Sequence, residues 1–478
     1  MLLPTIALSL PSEIWLQVAQ HLPPTEVGNM YPLNSQWFEI AMNARYQHTS
    51  FAFLGRPMLR ILTRLRDPAV AQRVRTLHIH PYFVKEVEEQ TGILITTHCR
   101  RKFKIGGFLR LGRCARTPLS IQELVPMMVE VVSGLPNLTA FNIAWNGLET
   151  IHDLPVPILV AAFRPSLLRL TVEISLEKTV KLLAHTARLE NLEELDLFIR
   201  LDHLYSDEAY KQILVSHVAP AINRLHKTLQ KLSLRLCEPM DVAPLFDSLQ
   251  VLPFLESVAI SIPLARPHLG DPSGLGNFFE RQRNTLRNVA LRSSDLSGDG
   301  LVSHDGPLSE WVNDALSFVA GPTHLRSLDI SLTLFPLEAA ALCLGLFARS
   351  LTSLTLTGRQ LTYDSVDELL GAVRRGRELQ KLRLGTVTLS PELIDLIAEK
   401  LPALERLDLT IHEVVGSEGE LLYLEHKGDQ IQSFLSEMEQ RRYPEWSLHK
   451  LALSWTSFPF QVPYASIFAE CIPSLLRV

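Results

Sequence analysis

Apolar positions along the chain keep two different rhythms. Over residues 10 to 42 they return every three or four places, the period of one face of an α-helix. In "LPSEIWLQVAQHL" (10–22) Ile14, Val18 and Leu22 form one stripe, and Trp15 and Leu16 widen it. Pro11 suits a first helical turn, Ser12 and Glu13 place an acceptor and a negative charge near the helix start, and Pro23-Pro24 end the helix. In "EVGNMYPLNSQWFEIAM" (26–42) Val27, Met30, Leu33 and Trp37 make a second stripe, which Pro32 divides into two short helices meeting near Tyr31. Roughly 45 residues in three short helices are too few for a self-sufficient core, so a partner is expected to supply the missing half.

Beyond residue 70 the rhythm changes to a phrase of the form apolar-x-x-apolar-x-apolar. It occurs as "VRTLHI" at 74, "LTAFNI" at 138, "LLRLTV" at 167, "LEELDL" at 192, "LQKLSL" at 229 and "LESVAI" at 255. It continues as "LRNVAL" at 286, "LRSLDI" at 325, "LTSLTL" at 351, "LQKLRL" at 379, "LERLDL" at 404 and "LHKLAL" at 448. Most steps lie between 25 and 31 residues. The alternation within each phrase predicts a short half-buried strand. Between phrases lie helical patterns such as "SVDELLGAVRRGR" (365–377) and "SPELIDLIAEKL" (390–401), the latter with Ser390 as N-cap. A doubly wound α/β sheet would instead show longer, nearly continuous apolar strands without a fixed phrase. The segment "RPMLRILTRLRDPAVAQRV" (56–74) reads as a helix ending near Asp67-Pro68, followed by a short helical turn.

These two patterns resemble known families. Leu10-Pro11, Glu13-Ile14, Val18 and Leu22, followed by Val27, Met30, Leu33 and Trp37 at these separations, resemble an F-box, although Asn34 and Ser35 stand where that pattern often has Cys or a basic residue. The phrases resemble leucine-rich repeats, without the regular asparagine that often follows them. The resemblance implies an α/β fold: a three-helix F-box (1–48), a helical linker (49–73) and a leucine-rich-repeat solenoid (74–478) of about 12 to 13 irregular repeats, with parallel strands on the concave face, helices on the convex face and a basic insertion near 92–117. It further implies that Leu10, Pro11, Ile14, Val18 and Leu22 contact a Skp-family adaptor, while Val27, Met30, Leu33 and Trp37 pack the three helices. The plainer alternative for the first 48 residues is a helical cap on the repeats.

Charge and cysteine content narrow the field. The formal net charge of −5 makes no general case for nucleic acid or an anionic membrane. Five scattered cysteines with no CxxC pair indicate neither a disulfide framework nor a zinc site and fit a reducing compartment, cytoplasmic or nuclear. The apolar opening lacks a basic n-region and reads as no signal peptide, and no apolar run reaches the ~18 residues of a membrane span. Seven Lys or Arg lie between Arg100 and Arg116; a solvated insertion, a nucleic-acid or import patch and a target-contacting loop all fit them.

No catalytic signature is present. "GGFLRLG" (106–112) lacks the Gly-Lys-Ser/Thr ending of a phosphate loop, and "DLSGDG" (295–300) starts a calcium loop whose twelfth position is Gly306. His78 and His80 share a strand face but have no third ligand nearby in sequence.

The expected function is therefore that of a non-catalytic substrate-recognition subunit of an SCF-type ubiquitin ligase. It would bind the adaptor and, through it, a cullin scaffold, and hold a target protein on the repeats. No cofactor or metal is expected. The alternative is a non-catalytic scaffold whose F-box-like helices bind a partner outside the ubiquitin system. The third, fifth and seventh phrase positions should face the concave surface. They place Lys381, Arg383, Arg406 and Lys450 in three successive repeats as candidate target-binding residues.

Overall fold

A computed structural model describes residues 11–53, 55–80, 121–144, 155–201, 206–238, 240–263, 271–293, 324–333, 337–373, 378–416, 427–456 and 464–477. Leu10 and the basic insertion near 92–117 lie outside these residues. The chain divides into two compact units, Met1–Leu204 and Tyr205–Val478.

The first unit opens with α1 (Ser12–Gln20), α2 (Pro24–Asn29) and α3 (Ser35–Tyr46). Prolines precede α1 and α2, and Asn34 caps α3 by accepting the Trp37 N–H at 2.8 Å. Strands and helices then alternate: β1 (His48–Phe51), α4 (Arg56–Arg64), α5 (Pro68–Ala71), β2 (Thr76–Ile79), α6 (Ile121–Ser133), β3 (Ala140–Ala144), α7 (Pro155–Ala162), β4 (Arg169–Ser175), α8 (Leu176–Leu183) and β5 (Glu194–Arg200). Within this set β1 pairs in parallel with β2, β2 with β3, β3 with β4 and β4 with β5.

Strand β1 departs from the expected boundaries. Residues 49–73 are not a purely helical linker, and the first parallel pairing lies before residue 74: His48 pairs with Thr76 and Phe51 with Ile79. The reason is chemical. "YQHTSF" (46–51) is a phrase with Thr49 in its central apolar place, and Thr49 is 4% exposed because its hydroxyl donates to the Tyr46 carbonyl at 3.0 Å.

The second unit carries β6 (Lys231–Leu236), β7 (Ser257–Ile262), β8 (Asn288–Ser293), β9 (Ser327–Ser331), β10 (Ser353–Thr357), β11 (Lys381–Leu389), β12 (Arg406–Val414) and β13 (Lys450–Trp455), again paired in parallel in chain order. Its helices are α9 (Asp207–Ile213), α10 (Ala219–Arg224), α11 (Ala243–Ser248), α12 (Ser273–Gln282), α13 (Leu337–Phe347), α14 (Tyr363–Val373), α15 (Pro391–Lys400), α16 (Lys427–Glu439) and α17 (Tyr464–Cys471). Ser390 caps α15 by accepting the Leu393 N–H at 3.2 Å.

All twelve phrases become strands, β2 to β13, and each strand begins at the third phrase position. The fourth and sixth positions turn inward. Leu354, Leu382 and Leu407 form one buried row across β10, β11 and β12, and Leu356, Leu384 and Leu409 form the next. The carbonyl at the second position organises the stacking: the Thr352 oxygen accepts both the Gln380 and Lys381 N–H groups, and the Gln380 oxygen accepts both Glu405 and Arg406. The same forked acceptance ties Arg75 to Thr139 and Ala140, and Arg287 to Arg326 and Ser327. Within each unit the paired phrases therefore share one register, and their fourth and sixth positions line up as buried rows.

Candidate functional site: two recognition surfaces

The first surface is α1. An isolated amphipathic helix normally buries its stripe, yet no residue of α1 is buried: Ile14 is 40%, Leu16 48% and Val18 41% exposed. Pro11 is exposed, and Leu22 and Trp15 are half-buried. What holds α1 is an aromatic contact, Trp15 against Trp37 of α3, with ring centroids 5.7 Å apart and planes inclined at 60°. Sequence periodicity placed Trp15 on the widened apolar face but did not single it out as this anchor.

Behind α1, Val27 and Trp37 are buried and Met30 is half-buried. Leu33 departs from the expected packing role. It is 64% exposed because Pro32 puts it in the turn before α3, where its N–H donates to the Met30 carbonyl at 3.0 Å. Tyr31 and Phe38 add further exposed apolar area to the turn and to α3. The helices are tied to the repeats that follow. Arg73 reaches Glu39 at 2.7 Å and donates to Asn43 Oδ1 at 2.7 Å, and Arg64 donates to the Tyr46 hydroxyl at 2.9 Å.

The second surface is the polar face of β6 to β13. The third phrase positions align as one row, Lys231, Ser257, Asn288, Ser327, Ser353, Lys381, Arg406 and Lys450. The fifth positions align beside it as Ser233, Ala259, Ala290, Asp329, Thr355, Arg383, Asp408 and Ala452. Lys381, Arg383 and Lys450 are exposed. Arg406 sits between the two lysines but is turned to its own strand: Nε donates to Asp408 Oδ1 and Oδ2 at 3.0 Å, and a terminal nitrogen donates to Oδ2 at 2.8 Å. That bond to Asp408 also raises the Arg406 pKa. The four expected residues thus do come together, but one is already occupied. The other carboxylate of the two rows, Asp329, accepts from Arg292 Nε at 3.0 Å.

Among the described residues no group of three or more His, Cys, Asp or Glu could hold a metal, and no helix is long and apolar enough to cross a membrane. Burial, and then the neighbouring His80 and His48, lower the His78 pKa. Burial alone pushes the Cys343 thiol up to about 12.

No protein-family model matches the chain. No curated protein matches it either. Among solved structures, the complex of Rad7 and Elc1 from yeast is similar at 14% identity over 85% of this chain and 88% of the other, with a TM-score of 0.37. A structural-genomics protein from Bacteroides fragilis is similar at 14% identity over 68% and 83%, with a TM-score of 0.32. TLR13 in complex with ssRNA13 is similar at 13% identity over 71% and 59%, with a TM-score of 0.25.

Proposed function

We propose that this chain is the substrate-recognition subunit of an SCF-type ubiquitin ligase, resident in the cytoplasm or nucleus. In this reading α1 and the residues flanking it dock a Skp-family adaptor through Leu10, Pro11, Ile14, Val18 and Leu22, and the repeats hold a target protein. The chain itself does no bond-making. It raises the local concentration of target lysines near a conjugating enzyme carried by the cullin scaffold.

The observation that carries the proposal is the exposure of Ile14, Leu16 and Val18 on a helix anchored from one side by Trp15. An apolar helix face left open beside a folded body is the feature expected of a protein-docking surface. The test is co-purification of the full chain with the adaptor and cullin, compared with an Ile14→Asp variant. Truncating or charging a central anchor commonly costs ~2 kcal/mol or more of binding. Loss of both partners in the variant, with an unchanged melting temperature, supports the reading. Retention of both at wild-type level, or failure of the native chain to capture the adaptor, overturns it.

A further inference from the structure

We infer that the polar face of β11 to β13 is a docking site for an acidic, carboxylate-rich peptide segment, held by Lys381, Arg383 and Lys450. Only the idea that this segment belongs to a ubiquitination target rests on the proposed function.

Three observations carry the site. First, Lys381 and Lys450 stand in one row on either side of Arg406, two strand spacings apart, or ~10 Å. Arg383 lies two residues along β11 from Lys381 and so projects from the same face. Secondly, the carboxylates of these rows are already used: Asp408 is held by Arg406 and Asp329 by Arg292. Lys381, Arg383 and Lys450 make no ion pair among the described residues. Among the described residues these three therefore present positive charge without an ion-pair partner, on a chain whose net charge is −5. Thirdly, the neighbours in the rows are small: Ser353 and Thr355 on β10 and Ala452 on β13, so an incoming backbone can approach the strands.

The distribution of charge selects the ligand. A phosphate group is best gripped by convergent donors that include an arginine fork. The fork placed between the two lysines is Arg406, and Asp408 occupies it. What remains is the free guanidinium of Arg383 with Lys381 two residues away on β11 and Lys450 two strands across, charges spread out rather than converging on one point, and an extended peptide offers its alternate side chains ~7 Å apart on one side. Single carboxylates at every second residue match that spread better than one concentrated dianion. A nucleic-acid strand is disfavoured by the overall negative charge and by the lack of an aromatic side chain in the two rows for base stacking.

The test uses the full chain, without adaptor, and fluorescence anisotropy of four labelled probes: an octapeptide alternating Glu and Ser, its Gln counterpart, a Ser-rich octapeptide with one phosphoserine, and a twenty-nucleotide single-stranded DNA. The expected result is binding of the Glu peptide alone among the peptides, weakened about tenfold or more by Lys381→Glu with Arg383→Glu. Asp408→Asn supplies the discriminating arm. It frees Arg406 and removes a carboxylate, so binding of the Glu peptide should tighten several-fold, a gain that a purely structural Asp408 would not produce. Equal binding of the Gln peptide, tighter binding of the phosphopeptide or the DNA, or affinity unmoved by the charge reversals would overturn the site. Because no adaptor is present, failure here leaves the docking of α1 untouched, and failure of that docking leaves this result standing.

Discussion

Adjacent residues in one strand have opposite fates, and this makes the register testable one side chain at a time. Leu354 is 1% exposed and lies in the buried row of β10, whereas its neighbour Thr355 is half-buried on the polar face. A carboxylate forced into the Leu354 site must be desolvated with no partner, so Leu354→Asp should cost about 4 kcal/mol or more. Thr355→Asp should cost less than about 1 kcal/mol. Urea melts of the two variants give the comparison, and equal losses would refute the inward assignment of the fourth position. Cys343 extends the test to pH. Burial raises its thiol to about 12, so the folded state holds that proton more tightly than the unfolded chain, whose thiol titrates near ~8.5. The contribution is complete below the unfolded value and is lost as pH rises toward the folded one. The melting temperature should therefore fall between pH 8 and pH 10.5, and Cys343→Ala should flatten part of that fall. Identical slopes in the two proteins would show that the thiol is not held neutral.

At the level of elements, the phrase carried nearly all the structural information. A fixed spacing of three apolar residues located twelve strands, each beginning two residues after its phrase does, because side-chain alternation and inter-repeat burial leave a short strand no other register. The phrase missed β1, since a threonine whose hydroxyl is satisfied locally looks polar in a sequence and behaves as apolar in the core. It also missed the small polar residue just before the phrase, which brackets the turn. Asn137 donates to the Gln72 carbonyl at 2.7 Å, Asn191 to Pro165 at 2.9 Å, and Ser166 to Leu138 at 3.2 Å. The pairing of Arg406 with Asp408 was legible in principle, because residues two apart in a strand share a face. Candidate docking residues on α1 were visible as a stripe, but exposure itself depends on which face the Trp15–Trp37 contact takes up, and periodicity does not choose between faces. Helix packing adds a prediction that no pattern announces. A Cβ on Gly274 of α12 would lie 2.6 Å from the Ala243 carbonyl oxygen and 2.8 Å from its Cα, both backbone atoms of α11. Gly274→Ala should therefore destabilise the second unit by about 1 to 3 kcal/mol, against the usual helix gain from alanine. A rise in melting temperature would show that the two helices are free to separate.

For the whole molecule, the two proposed docking surfaces differ in physical kind, and that difference predicts how each responds to solution conditions. Ile14, Leu16 and Val18 offer apolar area, whose burial depends weakly on ionic strength and grows modestly with salts excluded from protein surfaces. Lys381, Arg383 and Lys450 are exposed charges, and their attraction for a carboxylate is screened within a Debye length, ~10 Å at 0.1 M salt and ~3 Å at 1 M. The strand spacing puts the two lysines about 10 Å apart, so high salt should uncouple a multivalent peptide contact that low salt sustains. Raising sodium chloride from 50 to 500 mM should weaken the Glu-containing peptide about tenfold or more, while adaptor affinity changes less than about threefold. Temperature should separate the surfaces again. Adaptor docking on α1, as proposed, would bury apolar area and should show a clearly negative heat-capacity change, whereas the peptide contact should show a value near zero. Titration calorimetry of both ligands on the same 478-residue chain, at two salt concentrations and three temperatures, measures all four quantities. Adaptor binding that collapses with salt would mean that charges outside the apolar stripe carry it. Peptide binding indifferent to salt would remove the lysine row as its cause.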